Sequence, residues 1–140
     1  GITLVEQALA GSFGKRKLQV SEDSHNHHLL TLKEVGSQSA EVQATTLNAI
    51  IKKINARSIG LIKLDIEGGE YEVFESMADK DFTAIEAVIM EYHNVPGKNY
   101  KSIEKILREH GFGVQIFPSK FDSTMGFLWA KNKRIVRLSS

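Results

Sequence analysis

From residue 46 onward the sequence alternates between helical and extended patterns, and this order restricts the fold more than any other feature. Thr46 predicts the N-cap of a helix in which Leu47, Ile50, Ile51 and Ile54 share one face. The expected elements that follow are a strand at 61–66, a helix at 70–78, a strand at 87–92, a helix at 101–110, and strands at 114–117 and 126–130. Such alternation predicts an α/β fold with a mostly parallel sheet. The last two strands, joined without a helix, are expected to be antiparallel.

The segment before residue 46 is expected to add strands rather than helices. Residues 2–9 have the apolar character of a buried strand, 15–20 alternate like a half-buried strand, and 41–44 form a short strand. The polar loop between the last two, followed by a turn near Gly36, carries His25, His27 and His28. Because the spacing of these histidines matches no metal-ligand pattern, an exposed loop is the preferred interpretation.

Length and composition indicate a single globular domain. The chain has 140 residues, 41% of them hydrophobic and 25% charged, with a net charge of +1 and no cysteine. This near-neutral charge argues against nucleic acid or an anionic membrane as a partner. The sequence has neither a signal peptide nor an apolar run near the ~20 residues of a membrane span. A cytoplasmic protein is expected.

Polar side chains gather at the carboxyl ends of two consecutive predicted strands. Lys63, Asp65 and Glu67 share one face of the first strand, and Glu91 and His93 share one face of the next. In open α/β sheets this edge is where ligands bind. Two carboxylates ~5 Å apart repel by ~3 kcal/mol at an effective dielectric constant of 20, so a cation or ligand must offset them. The sequence therefore predicts a functional site here.

Other interpretations of these residues stay open. Lys63 and Asp65 can form a structural ion pair, with the glutamates solvated at a frayed strand end. Lysine and carboxylates at strand ends also suit a metal-assisted hydrolase or lyase. A non-catalytic module that binds a partner through an open sheet edge is a third alternative. The sequence contains no GxGxxG, P-loop or GxSxG motif, so three common enzyme classes find no support.

The segments TTLNAI, LIKLDIEGGEYEVFESM and AVIMEYHN resemble the FkbM family of S-adenosylmethionine-dependent methyltransferases. Lys63, Asp65, Glu67, Gly68 and Glu70 match the family pattern K-[IL]-D-[VI]-E-G-x-E position for position. The E-x-H at the following strand end and the upstream ITLVEQALA and KLQVSEDS are also similar to family segments. The resemblance thus covers nearly the whole chain.

The chain departs from the family pattern at a few positions. Asn48 stands where an aspartate is common, and Ala10 with Gly11 replaces a more usual Ser-Asp. The resemblance implies a partial class I (Rossmann-like) methyltransferase fold, of which residues 1–140 would be the C-terminal two-thirds. The first strand and its glycine-rich turn, which hold the cofactor, would precede Gly1. On this interpretation the chain alone is expected to be inactive.

If the chain is such a methyltransferase, the shared strand edge suggests catalytic roles. The reaction would transfer a methyl group to an oxygen of a sugar or small hydroxylated metabolite. His93 would be the general base, supported by Glu91, and Asp65 would orient the acceptor or the amino group of the cofactor. Although Asp65 and Glu91 could hold Mg²⁺ through their oxygens, no metal is expected.

The remaining roles in this hypothesis concern binding. Backbone groups of Ala8 and Leu9 would contact the adenine of S-adenosylmethionine. Glu67, Glu70 and Asn94 would line the acceptor pocket. The expected partner is a small-molecule or glycan acceptor, and a homodimer could cover an open sheet edge.

Overall fold

The computed structural model describes residues 1–19 and 39–135, which form a mixed α/β structure with two sheets. Predictions on the histidine loop, on Val20 and on the turn near Gly36 lie outside the described residues. The strands are β1 Ala8–Leu9, β2 Gly14–Gln19, β3 Ser39–Thr45, β4 Ile62–Leu64, β5 Ala87–His93, β6 Phe112–Pro118 and β7 Met125–Asn132. The helices are α1 Leu47–Lys53, α2 Glu70–Ser76, α3 Asp79–Phe82 and α4 Tyr100–Glu109.

The prediction of a mostly parallel sheet is wrong, because antiparallel pairs outnumber parallel ones among the described strands. The sheets have the orders β1-β3-β2 and β4-β5-β7-β6. Only β1 with β3 and β4 with β5 pair in parallel. Strand β7 inserts between β5 and β6 and is antiparallel to both, which confirms the antiparallel final pair. The alternation of helices and strands along the chain does not determine which strands are neighbours in the sheet, so it does not predict this insertion.

Local signals set several element boundaries. The Oγ1 of Thr46 accepts a hydrogen bond from the Ala49 amide at 3.2 Å, as expected of an N-cap. Gly111 follows α4 with φ +90°, a conformation that favours glycine at a helix end. The first strand, Ala8–Leu9, is much shorter than the predicted 2–9. Ile2 and Leu4, which were expected to be buried, are exposed. An apolar run alone therefore overstated the extent of β1.

The core lies on one face of the four-stranded sheet. Tyr71 and Phe74 of α2, with Ile103 and Leu107 of α4, belong to one buried cluster with strand residues. On the strands, side chains of Val88, Met90, Leu128 and Ala130 enter this cluster. Alternation turns the intervening residues, including Glu91 and His93, to the opposite face. None of the described helices is long and apolar enough to cross a membrane.

Candidate active site at the ends of β4 and β5

A tight turn after β4 redirects the chain into α2. Glu67 has φ +51°, an uncommon conformation for a residue with a side chain, and Gly68 has φ +95°. The Gly69 amide closes the turn by donating to the Ile66 carbonyl at 3.1 Å. A Cβ at Gly68 would lie 2.9 Å from Cγ1 of Val95. The Gly-Gly sequence thus lets the turn pack against the segment after β5 and sets the direction of Glu67.

Glu70, the first residue of α2, carries a carboxylate that is fully buried. Its Oε1 accepts a hydrogen bond from the Ile66 amide at 3.3 Å and lies 3.4 Å from Nδ1 of His93. A negative charge in the first turn also complements the helix dipole. Its Oε2 has no hydrogen-bond partner within residues 1–19 and 39–135. A buried carboxylate beside an imidazole favours the tautomer in which Nδ1–H donates to the carboxylate.

The other imidazole nitrogen of His93 faces two further carboxylates. Nε2 lies 3.4 Å from Oε2 of Glu67 and 3.8 Å from Oε1 of Glu91. The hydrogen bond with Glu70 raises the pKa of His93 above its ordinary value, and the charges of Glu67, Glu70 and Glu91 add to this, while burial opposes it. The imidazole therefore binds a proton more tightly than a free histidine does.

Asp65 completes the acidic edge. It is exposed, and ligand atoms of Asp65, Glu67 and His93 all lie within 4.8 Å of one another. This donor set has the chemistry of a small cation site, although it offers only three ligands. No described ion pair joins Lys63 to Asp65 in the parts of the chain that the structure covers. The carboxylates instead gather around His93.

Tyr71 and Asn94 fix the backbone beneath the histidine. The Tyr71 hydroxyl donates to the His93 carbonyl at 3.1 Å, and burial, with the nearby Glu70 charge, raises the pKa of Tyr71 to about 12. The Asn94 Oδ1 accepts from the Tyr100 backbone amide at 3.0 Å, and the backbone N–H of Asn94 donates to the Thr124 carbonyl at 2.6 Å. Asn94 therefore links the end of β5 to α4 and to the β6–β7 loop.

Ala8 and Leu9 lie in a different sheet from the acidic edge. Strand β1 pairs with β3, while Asp65 and His93 belong to the β4 and β5 ends. The chain after β1 nevertheless meets α2, since a Cβ at Gly11 would lie 2.7 Å from the Glu72 carbonyl oxygen. The end of β1 and the helix that begins at Glu70 are thus neighbours.

The pairing of Glu70 with His93 is the feature that sequence reasoning missed. The motif assigned Glu70 to the pocket, and Glu91 was expected to support the histidine. In the structure Glu70 contacts Nδ1, whereas Glu91 lies 3.8 Å from Nε2. The Gly68-Gly69 sequence could have indicated this pairing, because the tight turn that it forms brings the carboxylate of Glu70 back beneath the end of the strand.

The turn, its carboxylates and His93 all lie within a segment of the chain that matches a known protein family. The family profile described as Methyltransferase FkbM domain matches residues 2–114. The chain belongs to the FkbM methyltransferase family.

The chain is similar to a named member of this family. The 31-O-demethyl-FK506 methyltransferase FkbM of Streptomyces tacrolimicus is 33% identical over 86 residues, which are 61% of this chain and 32% of that protein. The match thus spans about a third of the length of the relative. No solved structure matches the chain.

Proposed function

We propose that this chain carries the acceptor-side part of an S-adenosylmethionine-dependent O-methyltransferase that acts on a sugar or another small hydroxylated metabolite. Membership of the FkbM family supports methyl transfer. The name of the Streptomyces relative specifies an oxygen as the methylated atom in that protein, which supports oxygen as the acceptor here. The observation that carries the proposal is the pair formed by His93 and the buried Glu70.

His93 is the proposed general base. With Nδ1–H donating to Glu70, the lone pair of Nε2 is directed toward Glu67 and Glu91, at the edge of the site. As the acceptor oxygen forms its bond to the methyl carbon and the carbon–sulfur bond breaks, Nε2 takes the hydroxyl proton. A well-placed base contributes ~10²–10⁴-fold to such a reaction. Glu70 then stabilises the imidazolium that forms.

The acidic edge suits the charge of the cofactor. S-adenosylmethionine, when bound, supplies an electrophilic methyl group on a positively charged sulfur. Asp65, Glu67 and Glu91 offer carboxylates that complement such a cation, and Asp65 is exposed for contact with its amino group. Backbone groups of Ala8 and Leu9 are proposed for the adenine, because the chain after β1 meets α2.

The acceptor residues take revised roles in this proposal. Glu67, whose carboxylate lies 3.4 Å from Nε2 of His93, is proposed to border the acceptor. Asn94 accepts a hydrogen bond from the Tyr100 amide, so we assign it to holding the end of β5 rather than to contact with the acceptor. Glu70 has no exposed surface, so we assign it to positioning His93 rather than to contact with the acceptor. Glu91 remains a supporting carboxylate at Nε2.

The test is methyl transfer by the complete protein with S-adenosylmethionine and a panel of hydroxylated acceptors. His93→Ala is expected to lower kcat by ~10²-fold or more, the contribution of a general base. Asp65→Asn is expected to raise KM for the cofactor. Asp79→Asn, which alters a carboxylate that is 99% exposed on α3, is the matched control. It should change neither kcat nor the KM for the cofactor. An unchanged kcat in His93→Ala together with an unchanged cofactor KM in Asp65→Asn would show that the roles are wrong.

A further inference from the structure

A short loop, residues 94–99, follows His93 and connects β5 to α4. The Lys98 amide donates to the Val95 carbonyl at 2.9 Å, and these two residues form an antiparallel bridge. Gly97, with φ +78°, allows the chain reversal between them. Lys98 is thus held in a turn that begins two residues after His93, so its position is coupled to that of the imidazole.

Helix α2 contacts this loop and the end of β5 through side chains one helical turn apart. Tyr71 and Glu75 have the i, i+4 spacing that places them on the same side of the helix. The Tyr71 hydroxyl donates to the His93 carbonyl at 3.1 Å. The Lys98 ammonium donates to both carboxylate oxygens of Glu75, at 2.5 and 2.6 Å. The helix is therefore fixed both at the end of β5 and at the turn of the loop.

The contact between Glu70 and His93 depends on the spacing between α2 and the loop. Its Oε1 and Nδ1 atoms are 3.4 Å apart, longer than the about 2.7–2.9 Å of a strong charge-assisted hydrogen bond. A small displacement of α2 away from the loop would therefore break the contact. Helix α2 has only seven residues, and because so short a helix is not stable alone, side-chain contacts must fix its orientation. The ion pair of Glu75 and Lys98 supplies such a contact.

We propose that the Glu75–Lys98 ion pair positions His93, because it holds α2 against the loop and so keeps Glu70 within hydrogen-bond reach of Nδ1. This inference rests on the proposed function, in which Glu70 orients the general base. Glu75 and Lys98 are positioning residues that act through α2 and the loop rather than by contact with the acceptor or the cofactor. Both side chains are 42% exposed, so salt screens their attraction and weakens the effect.

The sign of the change in the His93 pKa tests the inference. Lys98→Met removes the ammonium group but keeps an unbranched side chain. If the ion pair positions His93, the contact with Glu70 loosens in this variant, and the His93 pKa falls toward its ordinary value. If Lys98 acted only through its charge, the loss of a positive charge near the imidazole would raise that pKa instead. NMR titration of the imidazole distinguishes these results, and a raised or unchanged pKa would overturn the inference.

Further variants control for charge and for folding. Lys98→Arg keeps a cation that can bind Glu75, so its His93 pKa should match that of the wild type, and a fall as large as in Lys98→Met would contradict the inference. Lys15→Met is the matched control, because Lys15 Nζ lies 2.7 Å from Glu41 Oε1 in an exposed ion pair of the other sheet. An equal fall in Lys15→Met would also contradict the inference. Lys98→Gln, expected to behave as Lys98→Met, keeps the test valid if the methionine variant unfolds.

Methyl transfer by the complete protein separates this inference from the proposed function. With S-adenosylmethionine saturating, Lys98→Met should lower kcat by about two- to fivefold, the contribution of an exposed ion pair, and Lys15→Met should not change it. A wild-type kcat in Lys98→Met would overturn the inference, while the proposed function would stand. A lowered His93 pKa in Lys98→Met, without methyl transfer by the wild type to any hydroxylated acceptor, would support the positioning of His93 and contradict the proposed function instead.

Discussion

The carboxylate of Glu70 lies 3.4 Å from Nδ1 of His93 and has no exposed surface. Glu70 begins a helix and His93 ends a strand, so the contact joins two elements that meet through the Gly68-Gly69 turn. A charged hydrogen bond away from water is stronger than one at the surface. The pair therefore controls both the orientation of the imidazole and its affinity for a proton.

The first prediction concerns Glu70→Gln, which keeps the shape of the side chain but removes its charge. Because the Glu70 hydrogen bond is the largest cause of the raised His93 pKa, that pKa should fall in the variant. NMR titration of the imidazole measures it directly. In the complete protein, kcat/KM should rise with pH through the His93 pKa, and this limb should move to lower pH in Glu70→Gln.

The same variant is expected to lower kcat by ~10–10²-fold, since a neutral partner stabilises the imidazolium less. Glu72→Gln on the same helix is the matched control, because Glu72 is only partly buried and does not contact His93. An imidazole that titrates identically in wild type and Glu70→Gln would contradict the assigned pairing.

The second prediction concerns stability and pH. The folded state raises the His93 pKa above its ordinary value near 6.5, so the folded state binds the proton more tightly than the unfolded state. The resulting stabilisation is fully present below the unfolded pKa and is lost as pH rises through the folded pKa. The carboxylates that supply it are Glu67, Glu70 and Glu91.

Urea unfolding at pH 5.5 and pH 9 checks this effect. The difference in free energy of unfolding between wild type and His93→Gln should shrink from the lower to the higher pH. Comparison of the two proteins cancels groups that titrate in both. A difference that grows toward pH 9 would mean that the histidine is held neutral in the fold, contrary to the geometry.

The sequence predicted the elements of this fold better than their arrangement. The α1 cap at Thr46, the Gly68-Gly69 turn and the pairing of the last two strands follow from local chemistry that a short window contains. The insertion of β7 between β5 and β6 depends on long-range packing, which local patterns do not encode. For this reason the expectation of a mostly parallel sheet was wrong.

The same distinction between local sequence signals and long-range packing applies to the candidate site. Strand alternation placed Glu91 and His93 on one face, and the sheet edge brought Asp65 and Glu67 near them. The burial of Glu70 could not be predicted, because a carboxylate at a helix start is usually exposed.

The third prediction concerns Gly68→Ala. A side chain at φ +95° is strained, and its Cβ would lie 2.9 Å from Val95, so we expect a loss of ~1–3 kcal/mol or more in the free energy of unfolding. Gly97→Ala is the matched control, since Gly97 has φ +78° but no atom within 4 Å of an added Cβ. Urea unfolding should show the larger loss in Gly68→Ala. Equal losses would mean that the Val95 contact relaxes without cost.

The fourth prediction concerns divalent cations at Asp65, Glu67 and His93, whose ligand atoms lie within 4.8 Å of one another. A metal must displace the proton of His93, whose raised pKa opposes this. The nearby carboxylates already satisfy the imidazole, and three ligands are few for Mg²⁺ or Mn²⁺. We therefore expect weak binding of either ion and methyl transfer that survives EDTA.

Calorimetry with MnCl₂ and an EDTA assay of the complete protein check this expectation. Because the acidic edge attracts any cation weakly, the informative comparison is between Asp65→Asn and the control Asp79→Asn. If the edge attracts Mn²⁺ only through its general negative charge, Asp65→Asn should lower the weak heat slightly, and Asp79→Asn, which alters a carboxylate beside His110, should leave it unchanged. Micromolar Mn²⁺ binding that only Asp65→Asn abolishes, with activity lost in EDTA and restored by Mn²⁺, would make His93 a metal ligand. It could not then act as the base, and the proton of the acceptor would need another route.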